Sequence, residues 1–137
     1  KRMALAQINP TSTNAWEKLN QHYAQMKNVS MKEMFANDTT RASKFHIQWN
    51  DFLVDYSKNI INQDTLNLLQ DLATEANLKA AIAQYFNGDA INQTENRAVL
   101  HTALRSPEDT SVLVDGENVI PEIYAVKSKI KTFRAYE

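Results

Sequence analysis

At 137 residues, with 43% apolar and 23% charged side chains, the chain has the length and composition of one globular domain able to bury a core, which argues against disorder and against membrane insertion. Fifteen basic against sixteen acidic residues leave a net charge of −1 with no long run of either sign, so a nucleic-acid-binding surface is not expected. There is no cysteine, hence no disulfide framework and no thiolate nucleophile, and the two glycines, Gly88 and Gly116, are too few for a glycine-rich phosphate cradle.

The apolar run Met3–Ile8 that follows Lys1 and Arg2 is too short for the core of a signal peptide. After Pro10, Thr11-Ser12-Thr13-Asn14 offers several N-caps to a helix with Trp16, Leu19, Tyr23 and Met26 on one stripe, closed at Asn28. Ser30-Met31-Lys32-Glu33 has the form of a capping box, with Val29 and Met34 at the staple positions, and predicts a second short helix through Phe35. The period then changes. Phe45, Ile47 and Trp49 alternate with Lys44, His46 and Gln48; beyond Asn50-Asp51, Phe52, Val54 and Tyr56 alternate again. Residues 45–57 therefore read as a half-buried β-hairpin. Helical spacing returns from Asp64 with Leu66, Leu69, Leu72 and Ala73. A break near Asn77 leads into an alanine-rich helix from Leu78 to Phe86, stopped by Asn87-Gly88.

Thr94 to Arg105 reads as a short helix with Val99, Leu100, Ala103 and Leu104 on one side. Thr94 would cap it, and Glu95 would set negative charge at its positive end. Arg97, His101 and Arg105, at i, i+4 and i+8, would line a polar stripe next to the apolar side. Pro107 puts Ser106–Asp109 in a loop. Val112-Leu113-Val114, Asp115-Gly116 and Val119-Ile120 give the clearest hairpin signal in the chain. Pro121 suits the first turn of a last helix, with Ile123, Val126, Ile130 and Phe133 on its apolar stripe. That helix reaches Glu137 without a cap, which reads as a cut. The order is α+β, mostly helical with two small β-hairpins, in a single segment over 1–137.

Few residues suggest chemistry. His22, His46 and His101 lie far apart in sequence, and without cysteines or an HExxH spacing no metal site is expected. His101 between Arg97 and Arg105 fits an acid/base or anion-binding role, but a structural hydrogen-bonding role is favoured. Asp55 and Asp115 are possible acid/base groups that nothing in the sequence brings together; polar positions on ribbons are usually solvated or stabilise turns. A serine activated by a lysine, Ser57 with Lys58, has poor geometry for proton transfer. Trp16 and Trp49 sit at core spacings rather than as ligand-stacking platforms. From spacing and chemistry alone, no catalytic apparatus is visible.

An ordered series of short motifs adds more. It runs from Asn9-Pro10-Thr11, Ala15-Trp16 and Met26-Lys27 to Leu53-Val54-Asp55-Tyr56-Ser57-Lys58-Asn59 and Leu69-Gln70-Asp71-Leu72-Ala73. It continues with Ile91-Asn92, Thr94-Glu95-Asn96-Arg97-Ala98-Val99-Leu100-His101 and Ala103-Leu104-Arg105, then Val114-Asp115-Gly116, Val119, Pro121-Glu122 and Lys131-Thr132-Phe133. In this order the chain resembles the N-terminal part of the glucose-6-phosphate isomerase (phosphoglucose isomerase) family in its bacterial form.

The resemblance implies a cytoplasmic enzyme of glycolysis and gluconeogenesis that interconverts glucose 6-phosphate and fructose 6-phosphate without a cofactor, through a cis-enediol(ate). It implies a fold of αβα layers and a homodimer with composite sites, and no nucleic-acid or membrane partner. The family's glutamate base, ring-opening histidine and phosphate loop all map beyond Glu137, so no catalytic, substrate-binding or metal-binding residue is assigned in this chain. The family-signature positions Asp55, Tyr56, Ser57, Lys58, Asn59, Thr94, Glu95, Asn96, Arg97, His101 and Arg105 are expected to be structural. Ser106-Pro107-Glu108 departs from the Asn and second Arg with which the family commonly continues. A different class of function, a self-contained helical protein-binding module without catalysis, fits the same composition, whereas a small hydrolase built on His101 lacks a partnered nucleophile.

Overall fold

The computed structural model describes residues 5–134. They form two compact units, one of residues 8–76 and one of residues 5–7 with 77–134.

In the first unit, a 3-10 turn at Pro10–Ser12 leads into helix α1 (Asn14–Met26). Thr13 is the N-cap expected from the Thr/Ser/Asn cluster, its hydroxyl accepting from the Trp16 amide at 3.2 Å. Helix α2 (Met31–Asn37) follows, and then a single turn, α3 (Arg41–Lys44), which the hydrophobic spacing does not reveal. The capping box expected at Ser30 is not formed, because the Ser30 side chain makes no cap hydrogen bond. Ser30 and Glu33 both face solvent, where water satisfies the first amides and a reciprocal bond adds little. Val29 and Met34 are half-buried, in keeping with the staple positions.

Strands β1 (His46–Trp49) and β2 (Phe52–Asp55) pair antiparallel through a turn at Asn50-Asp51, with Asn50 in the left-handed region at φ 49°. The register sets Ile47 opposite Val54 and Trp49 opposite Phe52. Helix α4 (Gln63–Glu75) begins with a reciprocal cap the hydrophobic spacing does not show. Asn62 Oδ1 accepts from the Thr65 amide at 2.9 Å, and Thr65 Oγ1 accepts from the Asn62 amide at 3.1 Å. Helices α1 and α4 pack against each other. At one end of that packing, Glu75 Oε2 accepts from the amide of fully buried Ala15 at 3.1 Å. The last turn of α4 thus supplies a carboxylate to the positive end of α1.

In the second unit, Asn77 (φ 56°) marks the expected break and precedes α5 (Leu78–Phe86). The Asn87-Gly88 stop is present. Gly88 has φ 74°, and a Cβ there would sit 2.9 Å from the Leu113 carbonyl oxygen, so only glycine fits both the conformation and the space. Strands β3 (Leu113–Val114) and β4 (Glu117–Asn118) pair across Asp115-Gly116, both with positive φ. Ile120, read as the end of the second strand, instead starts helix α6 (Ile120–Arg134). The Asn118 side-chain oxygen accepts from the amides of Ile120 and Val112, each at 3.2 Å, and so ends the ribbon and starts the helix together. Ile120 is fully buried, but the predicted stripe on α6 is exposed from Val126 through Ile130 to Phe133.

The α+β class holds: two antiparallel two-stranded ribbons stand among helices. Among the described residues no helix is long and apolar enough to cross a membrane.

Candidate functional site

The first group of signature residues is built around a buried cation. β2 ends at Asp55, whose carboxylate is bonded by the Ser57 hydroxyl and, at 2.8 Å, by the Ser57 amide. Those two bonds hold the Asp55 carboxyl below the usual carboxylate range. The Tyr56 amide donates to the Phe45 carbonyl at 3.0 Å, and the two rings meet edge to face with centroids 6.0 Å apart. Ser57 is 1% exposed.

Beneath this loop lies Arg41, also buried. Its Nε donates to the Ser57 carbonyl at 2.8 Å, and its Nη2 donates to the carbonyls of Asn59 at 2.7 Å and Ile61 at 3.0 Å. The guanidinium also lies 4.4 Å from the Phe45 ring centroid and 5.6 Å from that of Phe35. Among the described residues its partners are carbonyls and rings rather than a carboxylate. The Arg fork suits this arrangement, because it presents several donors in a fixed plane to a loop with several inward carbonyls.

Asp55 therefore stabilises a turn, as its position on a ribbon suggests. Ser57 is closed off from any substrate, its hydroxyl turned to Asp55 while Lys58 is exposed. No activated serine is made here. The spacing pattern missed Arg41, and the signal for it is local. Asp38-Thr39-Thr40 precedes it, and the Asp38 carboxylate accepts from the Thr40 amide (3.0 Å), the Thr40 hydroxyl (2.7 Å) and Lys44 Nζ (2.9 Å), an arrangement that nucleates α3. Those bonds, Thr40 first and Lys44 next, lower the Asp38 carboxyl to about 2.

The second group overturns the helix expected over Thr94–Arg105. Asn92 and Arg97 form an isolated antiparallel bridge, their amides and carbonyls exchanging bonds of 3.1 and 3.2 Å around a tight turn. Asn92 Oδ1 accepts from the Thr94 hydroxyl at 2.8 Å and the Glu95 amide at 3.2 Å, and Asn96 is left-handed at φ 49°. Side-chain bonds of this kind offer the backbone an alternative to a helical turn, and here the alternative wins. Arg97 Nε pairs with the Glu95 carboxylate, itself bonded by Asn92 Nδ2 at 3.0 Å. Gln93 reaches back to the start of its unit, donating to the Leu5 carbonyl at 2.9 Å and accepting from Gln7 at 2.6 Å.

Only Ala103–Arg105 is helical, as one 3-10 turn. Ala103 is fully buried while Leu104 faces solvent. Arg97, His101 and Arg105 therefore do not share a helical face. His101 is exposed, and its carbonyl accepts from Arg105 Nη1 at 3.2 Å. Tyr124 of α6 donates its hydroxyl to the Ser106 carbonyl at 3.0 Å, which ties this loop to the last helix.

Two open hollows occur in the first unit. One, about 280 Å³, lies beside α1 between Trp16, Tyr23, Met26 and Ile60. At its wall His22 Nε2 stands 2.6 Å from Thr65 Oγ1, which also bonds Asn62 Oδ1 at 3.0 Å. The other hollow, about 450 Å³, runs between Ile47 and Tyr56 on one side and Leu66 and Leu69 on the other. Trp49 is not a core residue, for it lies exposed on its strand. Among the described residues no three His, Asp or Glu side chains gather as a metal-donor set.

Among the described residues, the loops around Arg41 and Asn92 direct the hydrogen bonds named above to their own backbone and to adjacent side chains. The family model described as Phosphoglucose isomerase matches residues 55–136, a stretch that opens at Asp55 and contains both signature loops. The chain belongs to the phosphoglucose isomerase family. A curated relative, the glucose-6-phosphate isomerase of Christiangramia forsetii, is 58% identical over 126 residues, which covers 92% of this chain. The chain spans 23% of that relative's length. The Asp55 carboxylate accepts from the Ser57 amide, the Thr94 hydroxyl donates to the Asn92 side chain, and the Glu95 carboxylate is bonded by Asn92 and Arg97.

Proposed function

We propose that the chain is the N-terminal part of a glucose-6-phosphate isomerase, structural in role, and that the whole enzyme interconverts glucose 6-phosphate and fructose 6-phosphate. The observation that carries this reading is the 58% identity to a curated isomerase over 92% of the chain. In such an enzyme general acid–base catalysis and electrostatic stabilisation of the enediolate set the rate. Those groups belong to the rest of the polypeptide in this reading, and the bonding of Asp55, Glu95 and Arg97 to turns and to each other supports it. The role left to residues 1–137 is to hold helices and ribbons against the sugar-phosphate-binding parts of a cytoplasmic homodimer.

The test is a coupled assay for fructose 6-phosphate. Chain 1–137 alone gives no turnover. A chimera in which it replaces the aligned stretch of the Christiangramia forsetii enzyme is active. Turnover by the isolated chain would refute the structural role, and an inactive but folded chimera would refute membership of a working isomerase.

A further inference from the structure

The β1–β2 ribbon has one wholly apolar face. Directly opposed residues of an antiparallel pair share a face, so Ile47, Trp49, Phe52 and Val54 stand together. The other face carries His46, Gln48, Leu53 and Asp55. The four apolar side chains are 57–67% exposed, and Trp49 stacks on Phe52 with centroids 5.9 Å apart and an interplanar angle of 23°. At its Ile47 end the face runs into the 450 Å³ hollow floored by Leu66 and Leu69 of α4. The face and this end of the hollow carry no charged side chain. A patch of this kind on a two-stranded ribbon, which is marginal by itself, requires a cover.

Two observations identify the cover. Large side chains of about 150–250 Å², exposed to this degree, present on the order of 400–500 Å² from the four residues together. A stable interface between separate molecules needs about 800 Å² on each side, because association costs translational and rotational freedom. A segment of the same polypeptide escapes that cost. The curated relative is also far longer than this chain, which spans 23% of it. We propose that the Ile47–Trp49–Phe52–Val54 face is a docking surface covered in cis by an uncharged apolar segment of the isomerase polypeptide beyond residues 1–137, and not by a second copy of this chain. The proposal rests on the reading of the chain as part of an isomerase.

Hydroxyl-radical footprinting read by mass spectrometry tests it on chain 1–137 and on the chimera described above. In the free chain, oxidation of Trp49 and Phe52 is high and independent of protein concentration. In the active chimera, Trp49 oxidation falls about five-fold or more, as its 67% exposure gives way to that of an interface core. An active chimera with Trp49 as reactive as in the free chain overturns the cis cover while leaving the isomerase reading intact. Protection of Trp49 in the free chain also overturns it, in favour of a second copy where it rises with concentration and of residues 77–134 where it does not. A folded but inactive chimera removes the isomerase reading itself, and the proposal with it.

Discussion

Replacing Arg41 with methionine keeps most of the side-chain volume between Phe35 and Phe45 but removes all three bonds to the carbonyls of Ser57, Asn59 and Ile61. Hydrogen bonds to a charged group contribute about 1.5–3 kcal/mol each, and a cation over an aromatic ring adds about 0.5–2 kcal/mol. These terms do not sum, because the variant also escapes the several kcal/mol needed to desolvate a guanidinium. The expected net loss is about 2–4 kcal/mol, a large share of the stability of any small domain. Arg41→Lys keeps the charge, yet a single ammonium cannot reproduce the fork, so it loses about half as much. Urea denaturation of chain 1–137, followed by far-UV circular dichroism, reads both values. If Arg41→Met lies within about 0.5 kcal/mol of the parent, or if Arg41→Lys matches it, the clamp does not order this loop.

The Asp38 carboxyl is lowered to about 2 in the folded chain, against an ordinary 3.8, because Thr40 and Lys44 bond its ionised form. A lowered folded value means this contribution is fully present above the unfolded value and is lost as pH falls through the folded one. Carboxyl NMR of the parent and of Thr40→Val, which shifts the midpoint upward, checks it; an unshifted Asp38 would contradict the geometry. Gly88→Ala adds a Cβ that meets the Leu113 carbonyl at φ 74° and is expected to cost about 2–3 kcal/mol. Gly116→Ala, at φ 89° in open space, costs about 1 kcal/mol, and thermal melts in the reverse order would refute the assignment of Gly88 to a close approach. Asn92→Ala removes the acceptor for Thr94 and Glu95, and amide exchange at Arg97 then speeds up roughly five-fold, about 1 kcal/mol of local opening. Unchanged exchange would mean that the turn forms without it.

Period and turn chemistry made most elements legible. The Thr13 cap, the 45–57 ribbon, the break at Asn77 and the Asp115-Gly116 turn all follow from short-range preferences that tertiary packing leaves alone. Thr94–Arg105 misled because Val99, Leu100, Ala103 and Leu104 satisfy helical spacing, while Asn92, outside the periodic window, decides the backbone through its side chain. The ribbon's alternation correctly shows that one face is apolar, but the half-burial expected from it is not found in these residues, because period carries no information about which residues will cover a face. Arg41 was hidden for a related reason. Whether a charged side chain is buried depends on three carbonyls 16 to 20 residues ahead, and no local pattern encodes them.

Backbone carbonyls turned toward a common centre are how many loops hold a calcium ion, and such loops lose their shape when the ion leaves. The loop from Ser57 to Ile61 has the same inward-facing oxygens, but its cation is a side chain of the same polypeptide. The ligand is therefore never diluted away, and no chelator or change of ionic composition can strip it out. The path from ribbon to helix is held by an ion the chain carries with it, which leaves the outward side chains of Lys58, Asn59 and Ile60 at liberty to serve whatever lies against them.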